Sequence, residues 1–316
     1  MQKVLITGIT GFVGSHLADH LLSLGNVQIY GTIRHRSPLD NIVHIQDKII
    51  LRDCNVVDTV SVMQLVKDIK PDYIFHLAAQ SFVPTSWKAP QETLQTNIIS
   101  TVNILEAVRE YCKDCVIQIA GSSEEYGRVY EHELPIYEDN RLRPLSPYGV
   151  SKVAQDMLAK QYNRSYDLKT IITRAFNHEG LRRGDVFVTS AFAKQLVEIE
   201  RNKRSVLLVG NLDAIRDFTD VRDVVKAYWL LANKGHYGEV YNICSGVGIT
   251  MKELLDKFIS ISDAQNYVIR VDETKLRPSD VPVLVGNCDR LKALGWEREI
   301  SLDQMIKDIL EYWRNK

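Results

Sequence analysis

The stretch "KVLITGITGFVGSHLADHLLSLG", residues 3–25, joins a β-branched run to an amphipathic one through glycines spaced three apart, at Gly8, Gly11 and Gly14. A strand, a G-x-x-G-x-x-G turn and a helix in that order let a pyrophosphate approach the backbone closely. The free N–H groups and dipole of the helix start favour the anion. The motif is informative because of this context, and it nominates Gly8, Thr10, Gly11, Phe12, Val13 and Gly14 as dinucleotide contacts.

Outward from that turn, short apolar runs alternate with amphipathic ones: "VQIYGTI", "VVDTVSVMQLVKDIK", "PDYIFHLA", "TLQTNIISTVNILEAVREYC", "CVIQIAGSS", "SPYGVSKVAQDMLAKQYNRSY" and "LKTIITRAFN". The alternation predicts βαβ units, and hence an α/β chain built on a doubly wound parallel sheet of the Rossmann kind, with about seven strands. After Asn177 the regularity breaks. "HEGLRRGDVFVTS" reads as a polar loop, and "EVYNICSG" as a return to the first sheet. The division this implies is 1–176 plus 214–247 for the dinucleotide-binding domain, and 177–213 plus 248–316 for a smaller mixed α/β C-terminal substrate lobe. A ligand cleft is expected between them.

With 45% apolar residues in 316 positions, the chain can bury a substantial core. A formal charge of −1, with acids and bases interspersed, offers no basic face to nucleic acid or an anionic membrane. No apolar run approaches the length that spans a bilayer, the N-terminus lacks signal-peptide features, and five cysteines make an odd count. A cytoplasmic protein without disulfides is expected. "CKDC" at 112–115 has no second pair or nearby histidine to complete a zinc set and reads as structural; no metal is expected.

The end of the second strand selects the cofactor. "GTIRHRS" offers Arg34 and Arg36, with no carboxylate until Asp40. Guanidinium groups match a 2′-phosphate, so NADP(H) is expected, with Arg34 on the phosphate and Asp53, at the end of the third strand, on the adenine. In "HLAAQSFVPTSW", which follows a strand at its C-terminal end, Leu77, Ala78 and Ala79 are placed against the cofactor and Gln80 and Ser81 against the substrate. His76 reads as a strand-end core histidine. In "SPYGVSK", Tyr148 and Lys152 are four apart at a helix start and so share a face. An ammonium beside a phenol favours the phenolate, and a phenolate can take a proton from a hydroxyl while hydride leaves the same carbon. Ser122, at the end of the preceding strand in "AGSS", completes the set.

With "TGITGFVG", "HLAAQSFV", "GSSEEYG", "SPYGVSK", "TRAFNHEGLRRGDVFVTS", "GNLDAIRDFTDVRD" and "LRPSDVP" taken together, the chain resembles the extended short-chain dehydrogenase/reductases that act on nucleotide sugars. The likeness covers essentially its whole length and is closest to GDP-mannose 4,6-dehydratases and the related GDP-4-keto-6-deoxy-mannose reductases. It implies that Glu124 of "SSEEYG" is the acid/base that takes the C5 proton and protonates the departing C6 hydroxyl, and that Glu125 is structural. Ser123 stands where dehydratases of the dTDP-glucose type have an aspartate. Ser122 stands where GDP-mannose dehydratases usually have threonine, a change that keeps the hydroxyl. The resemblance further implies a GDP-sugar substrate held by Asn177, Lys194, Arg216 and Arg277. It implies an arginine loop at Arg182 and Arg183 that reaches a neighbouring subunit's cofactor phosphates, and a homodimer or homotetramer. The reaction implied is dehydration of GDP-D-mannose. The alternatives are the NADPH-consuming reductase, a dehydratase or epimerase of another GDP-sugar, and a non-catalytic cofactor sensor. The intact Ser122, Tyr148 and Lys152 set counts against the last.

Overall fold

The computed structural model describes residues 1–275 and 281–316. Its first six strands are β1 (Gln2–Thr7), β2 (Val27–Ile33), β3 (Ile50–Asp53), β4 (Tyr73–His76), β5 (Val116–Ala120) and β6 (Lys169–Ala175). They are followed by β7 (Asn177–Glu179), β8 (Val206–Val209), β9 (Ile215–Asp220), β10 (Val240–Ile243), β11 (Gly248–Thr250), β12 (Val268–Val271) and β13 (Val283–Leu284). Seven of them form one sheet in the order β10-β6-β5-β4-β1-β2-β3. Every neighbouring pair in it is parallel. Helices cover both faces, so Val4, Leu5, Ile6, Ile74, Phe75, Ile117 and Ile119 are fully buried, as the near-continuous apolar runs require.

The strand order reverses at β1, which lies between β2 and β4. The register aligns Thr7 with His76, so the loops leaving both strands open into the same crevice. Helix Phe12–Leu24 leaves the first of these loops. It stops where Gly25 takes the left-handed conformation at φ 75°, which lets its amide reach the Leu22 carbonyl.

Two stretches differ from their sequence reading. "TLQTNIISTVNILEAVREYC" is helical throughout, but a π turn at Gln95–Ile99 separates Pro90–Leu94 from Ser100–Tyr111. In "NHEGLRRGDVFVTS", only the centre is a loop. Asn177–Glu179 pairs in parallel with β9, and a helix begins at Val188. Partners distant in sequence draw the edge of the polar run into a sheet.

The smaller sheet has the order β11-β9-β13, with β7 also on β9, and β12 pairs with β8 apart from it. Strand β9 lies in this sheet although it opens the segment 214–247 assigned to the large one. The return to the large sheet starts with helix Val221–Lys234, whose Val221, Val224, Ala227 and Tyr228 share a core with Leu17 and Leu21. A separate core joins Phe192, Leu196, Phe218, Leu255, Phe258, Ile306 and Leu310.

Candidate active site

At the glycine turn, Gly8 adopts φ 71° and the Gly11 amide donates to the Gly8 carbonyl at 3.0 Å. A Cβ on Gly8 would lie 3.1 Å from the Ala78 Cα, and one on Gly14 would lie 2.5 Å from the Gly8 oxygen. The turn is therefore closed to side chains, and the helix behind it starts at Gly11 without a side-chain cap. Its first amides are left for an anion, which is how these residues fit a dinucleotide's pyrophosphate.

The crevice wall is built by Thr7. Its Oγ1 accepts from the amides of Leu77 (3.0 Å) and Ala78 (3.1 Å) and lies 3.0 Å from His76 Nδ1. His76 Nε2 lies 3.0 Å from Ser100 Oγ. Burial pushes the imidazole down to about 3, so it is neutral, and both ring nitrogens are spent on hydroxyls. Gln80 is tied down as well. Its Oε1 accepts from the Phe82 amide at 2.6 Å, its Nε2 donates to Thr93 Oγ1 at 3.0 Å, and its backbone is clasped by Asn97. This amide shapes the loop, and Ser81 beside it is exposed. Asn97 explains the π turn. Its side chain bonds the Gln80 backbone and donates to Ser151 Oγ at 2.9 Å, joining the loop after β4 to the helix that carries Tyr148. Thr7 and Asn97 were absent from the sequence-level candidates. A polar residue amid helical apolar spacing was the signal for Asn97; for Thr7 there was none.

Helix Pro147–Tyr166 is capped by Ser146, whose Oγ accepts from the Gly149 amide at 3.0 Å. It carries Tyr148 and Lys152 to the end of β5. The ammonium lies 5.7 Å from the phenol ring centroid and donates to the Ala120 carbonyl at 2.7 Å. Burial lowers Lys152 to about 8, against the pull of Glu125. Burial also raises Tyr148, and a hydrogen bond with Ser122 opposes this. Ser122, Tyr148 and Lys152 are thus brought together. The Glu124 amide donates to Ser122 Oγ at 3.2 Å, and its carboxylate, partly buried, is near enough for its charge to act on Tyr148. Glu125 turns the other way, into a fully buried cluster with Arg174 and Asp156.

The outer residues are more dispersed. Arg34 and Arg36 are exposed on the turn after β2, and Asp53 is exposed at the end of β3. Asn177 opens β7, facing Phe218 in register. Arg216 is buried on β9 and donates to the Ile215 carbonyl. Lys194 is half exposed and forms a 2.6 Å ion pair with Asp185. Arg277 lies outside the described residues. Arg182 is held within its own chain, donating to the Asn41 carbonyl (2.9 Å), His16 Nδ1 (2.8 Å) and Asp19 Oδ2 (2.6 Å). Its neighbour Arg183 is clamped between rings, 3.5 Å from the Phe187 centroid and 4.7 Å from that of Phe12, and its charge acts on Tyr148. Among the described residues no group of His, Cys, Asp or Glu could hold a metal. No described helix is long and apolar enough to cross a membrane.

The family model described as GDP-mannose 4,6 dehydratase matches residues 5–309. A GDP-6-deoxy-D-mannose reductase from Pseudomonas aeruginosa is 31% identical over 317 residues, covering 100% of this chain and 98% of that one. A GDP-mannose 4,6-dehydratase from Yersinia enterocolitica is 31% identical over a longer alignment of 350 residues, covering 98% of this chain and 93% of the relative. A solved structure of RMD from Pseudomonas aeruginosa complexed with NADPH superposes with a TM-score of 0.86, at 31% identity, covering 100% of this chain and 99% of the other. By sequence over nearly its whole length, and by a strand-end serine, tyrosine and lysine on a doubly wound sheet, this chain belongs to the GDP-mannose 4,6 dehydratase family.

Proposed function

We propose that the protein is a GDP-mannose 4,6-dehydratase, converting GDP-D-mannose to GDP-4-keto-6-deoxy-D-mannose with NADP(H) recycled in each turnover. The observation that carries this is Glu124 at the Ser122–Tyr148 pair, because elimination needs a carboxylate that hydride transfer alone does not. The glycine turn, the Leu77–Ala79 wall and the Arg34–Arg36 turn would hold the cofactor, which when bound would supply the hydride exchange at C4 and C6. Tyr148 takes the C4 hydroxyl proton, Ser122 hydrogen-bonds the same oxygen, and Lys152 supports the phenolate. Once C4 is a carbonyl the C5 proton is acidified; Glu124 removes it and gives it to the leaving C6 hydroxyl, and a proton delivered to C5 as hydride enters C6, equivalent to the one Tyr148 took from the C4 hydroxyl and then releases, completes the product. Asn177, Lys194, Arg216 and Arg277 are assigned to the diphosphate and nucleotide. For Lys194 this requires exchanging Asp185 for phosphate.

A second reading, the NADPH-consuming reductase of the 4-keto-6-deoxy sugar, is favoured by the near-gapless alignment with the Pseudomonas aeruginosa reductase, where the dehydratase alignment needs more positions. Glu124 then has no elimination to perform. Purified protein given GDP-mannose and catalytic NADP without reductant separates the two. Loss of one water with no net change in NADPH supports the dehydratase. Unchanged GDP-mannose, followed by NADPH oxidation when the 4-keto-6-deoxy sugar is supplied, supports the reductase.

A homo-oligomer is part of this reading. Val150 and Met157, 46% and 48% exposed, are seven apart on helix Pro147–Tyr166, and Ile99 is exposed on the helix that Asn97 ties to it. A cytoplasmic setting is part of the same proposal.

A further inference from the structure

The buried cluster behind the catalytic turn has a feature that core packing does not require. The β5–β6 ladder ends with the Gly121 amide donating to the Thr173 carbonyl at 2.7 Å. The next amide, that of Ser122, has no strand to pair with. Glu125 Oε1 accepts from it at 2.8 Å, while Glu125 Oε2 lies 3.2 Å from Arg174 Nε. Arg174 is in turn fixed by Asp156 Oδ2, at 2.7 Å from Nη2 and 2.9 Å from Nε, and donates to the Tyr126 hydroxyl at 3.1 Å and the Glu138 carbonyl at 3.0 Å. The carboxyl group has a place prepared for it, since a Cβ on Gly121 would overlap Glu125 Oε1. On the other side of the strand end, Lys152 holds the Ala120 carbonyl.

We propose that Glu125 is a positioning residue for Ser122: by accepting from the Ser122 amide, braced by Arg174 and Asp156, it sets the serine hydroxyl toward Tyr148. The backbone at Ser122 is extended, with φ −158° and ψ 149°; its Oγ accepts from the Glu124 amide at 3.2 Å, and its hydroxyl acts on the Tyr148 phenol. A rotation at the Ser122 amide would therefore move the hydroxyl, the Glu124 backbone and the phenol contact together. The acceptor on the amide, rather than the charge, is what the role needs. Arg174 Nη2 lies closer to Asp156 (2.7 Å) than its Nε does to Glu125 (3.2 Å), so the guanidinium has its shorter bond elsewhere. This inference rests on the reaction proposed above.

The test is a double-mutant cycle on hydride transfer at C4, which both the dehydratase and the reductase perform with Ser122 and Tyr148. Glu125→Met fills the same space without an acceptor. It is expected to lower kcat 10- to 100-fold with KM within twofold, while Glu125→Gln, which keeps an acceptor of the same reach, stays within about threefold of wild type. In the Ser122→Ala background, Glu125→Met is expected to cause no further loss. Equal losses for Glu125→Met and Glu125→Gln, or losses that multiply with Ser122→Ala, overturn the inference. Should Glu125→Met not fold, Glu125→Asp, one methylene short of the amide, takes its place with the same expectation, and wild-type kcat for it is equally fatal. Wild-type turnover of GDP-mannose and of the 4-keto-6-deoxy sugar is measured alongside. Water loss from neither GDP-mannose nor another GDP-hexose, with reductase turnover present, sinks the dehydratase reading alone. Absence of both activities removes the inference too.

Discussion

At the scale of single residues, the two neighbouring glutamates divide the work between chemistry and architecture. Glu124→Gln is expected to lower the rate of water loss by about 10²- to 10⁴-fold and leave sugar-nucleotide affinity nearly unchanged, as judged by mass-spectrometric turnover and calorimetry. Tyr148→Phe is expected to block C4 oxidation to a similar extent, and persistence of that step would place the proton acceptor elsewhere. Glu125 has a signature in stability instead. Its pKa is pushed up by burial to about 8 from an ordinary 4.5, so between those values the folded chain holds a proton that the unfolded chain has lost. Stability from this group is full below about 4.5 and falls as pH rises through about 8, by at most about 1.4 kcal/mol per pH unit. Glu125→Gln is neutral throughout and should flatten that slope in thermal melts, and an unaltered slope would count against the assignment. Tyr148, Lys152 and Ser122 were legible because their spacing states their geometry. Thr7 was not, since a threonine ending an apolar run has no mark of the two amides and the imidazole it will meet.

At the scale of elements, the legible parts are those whose structure is decided locally. The glycine turn is one. Gly8→Ala must place a side chain at φ 71° with the Ala78 backbone 3.1 Å away, costing roughly 1–2 kcal/mol in backbone strain alone. A melting point lower by a few degrees and weaker NADP binding by calorimetry are expected; full retention of both would mean that the turn yields. The π turn is the opposite case. The helical spacing of residues 93–112 marks Asn97 only as a polar residue among apolar ones; that its side chain will bond Gln80 and Ser151 is not written there, because those partners come from two other segments. The strand Asn177–Glu179 was hidden for the same reason, its register being supplied by β9.

For the molecule as a whole, alternation along the first half gave away the sheet, while the interleaving of the two lobes emerged only from long-range pairing. β9 opens a segment that reads like a continuation of the large sheet, yet it pairs with β7, β11 and β13. Assembly of copies is testable at the exposed helix face: Val150→Glu with Met157→Glu should shift the wild-type species to half its mass or less by light scattering, and a wild-type monomer would dismiss that face as an interface. Arg182 bears on the same question, because its guanidinium is committed to Asp19, His16 and Asn41 of its own chain and so fastens the loop after β7 to the start of the cofactor helix. The edge position of β10 carries a further consequence for biosynthesis. Strand β6 emerges from the ribosome roughly 65 residues before the partner that covers its outer edge, an interval of several seconds at ordinary elongation rates. During that time a nascent chain displays an open, apolar strand edge, which pairs only once Val240–Ile243 has been made.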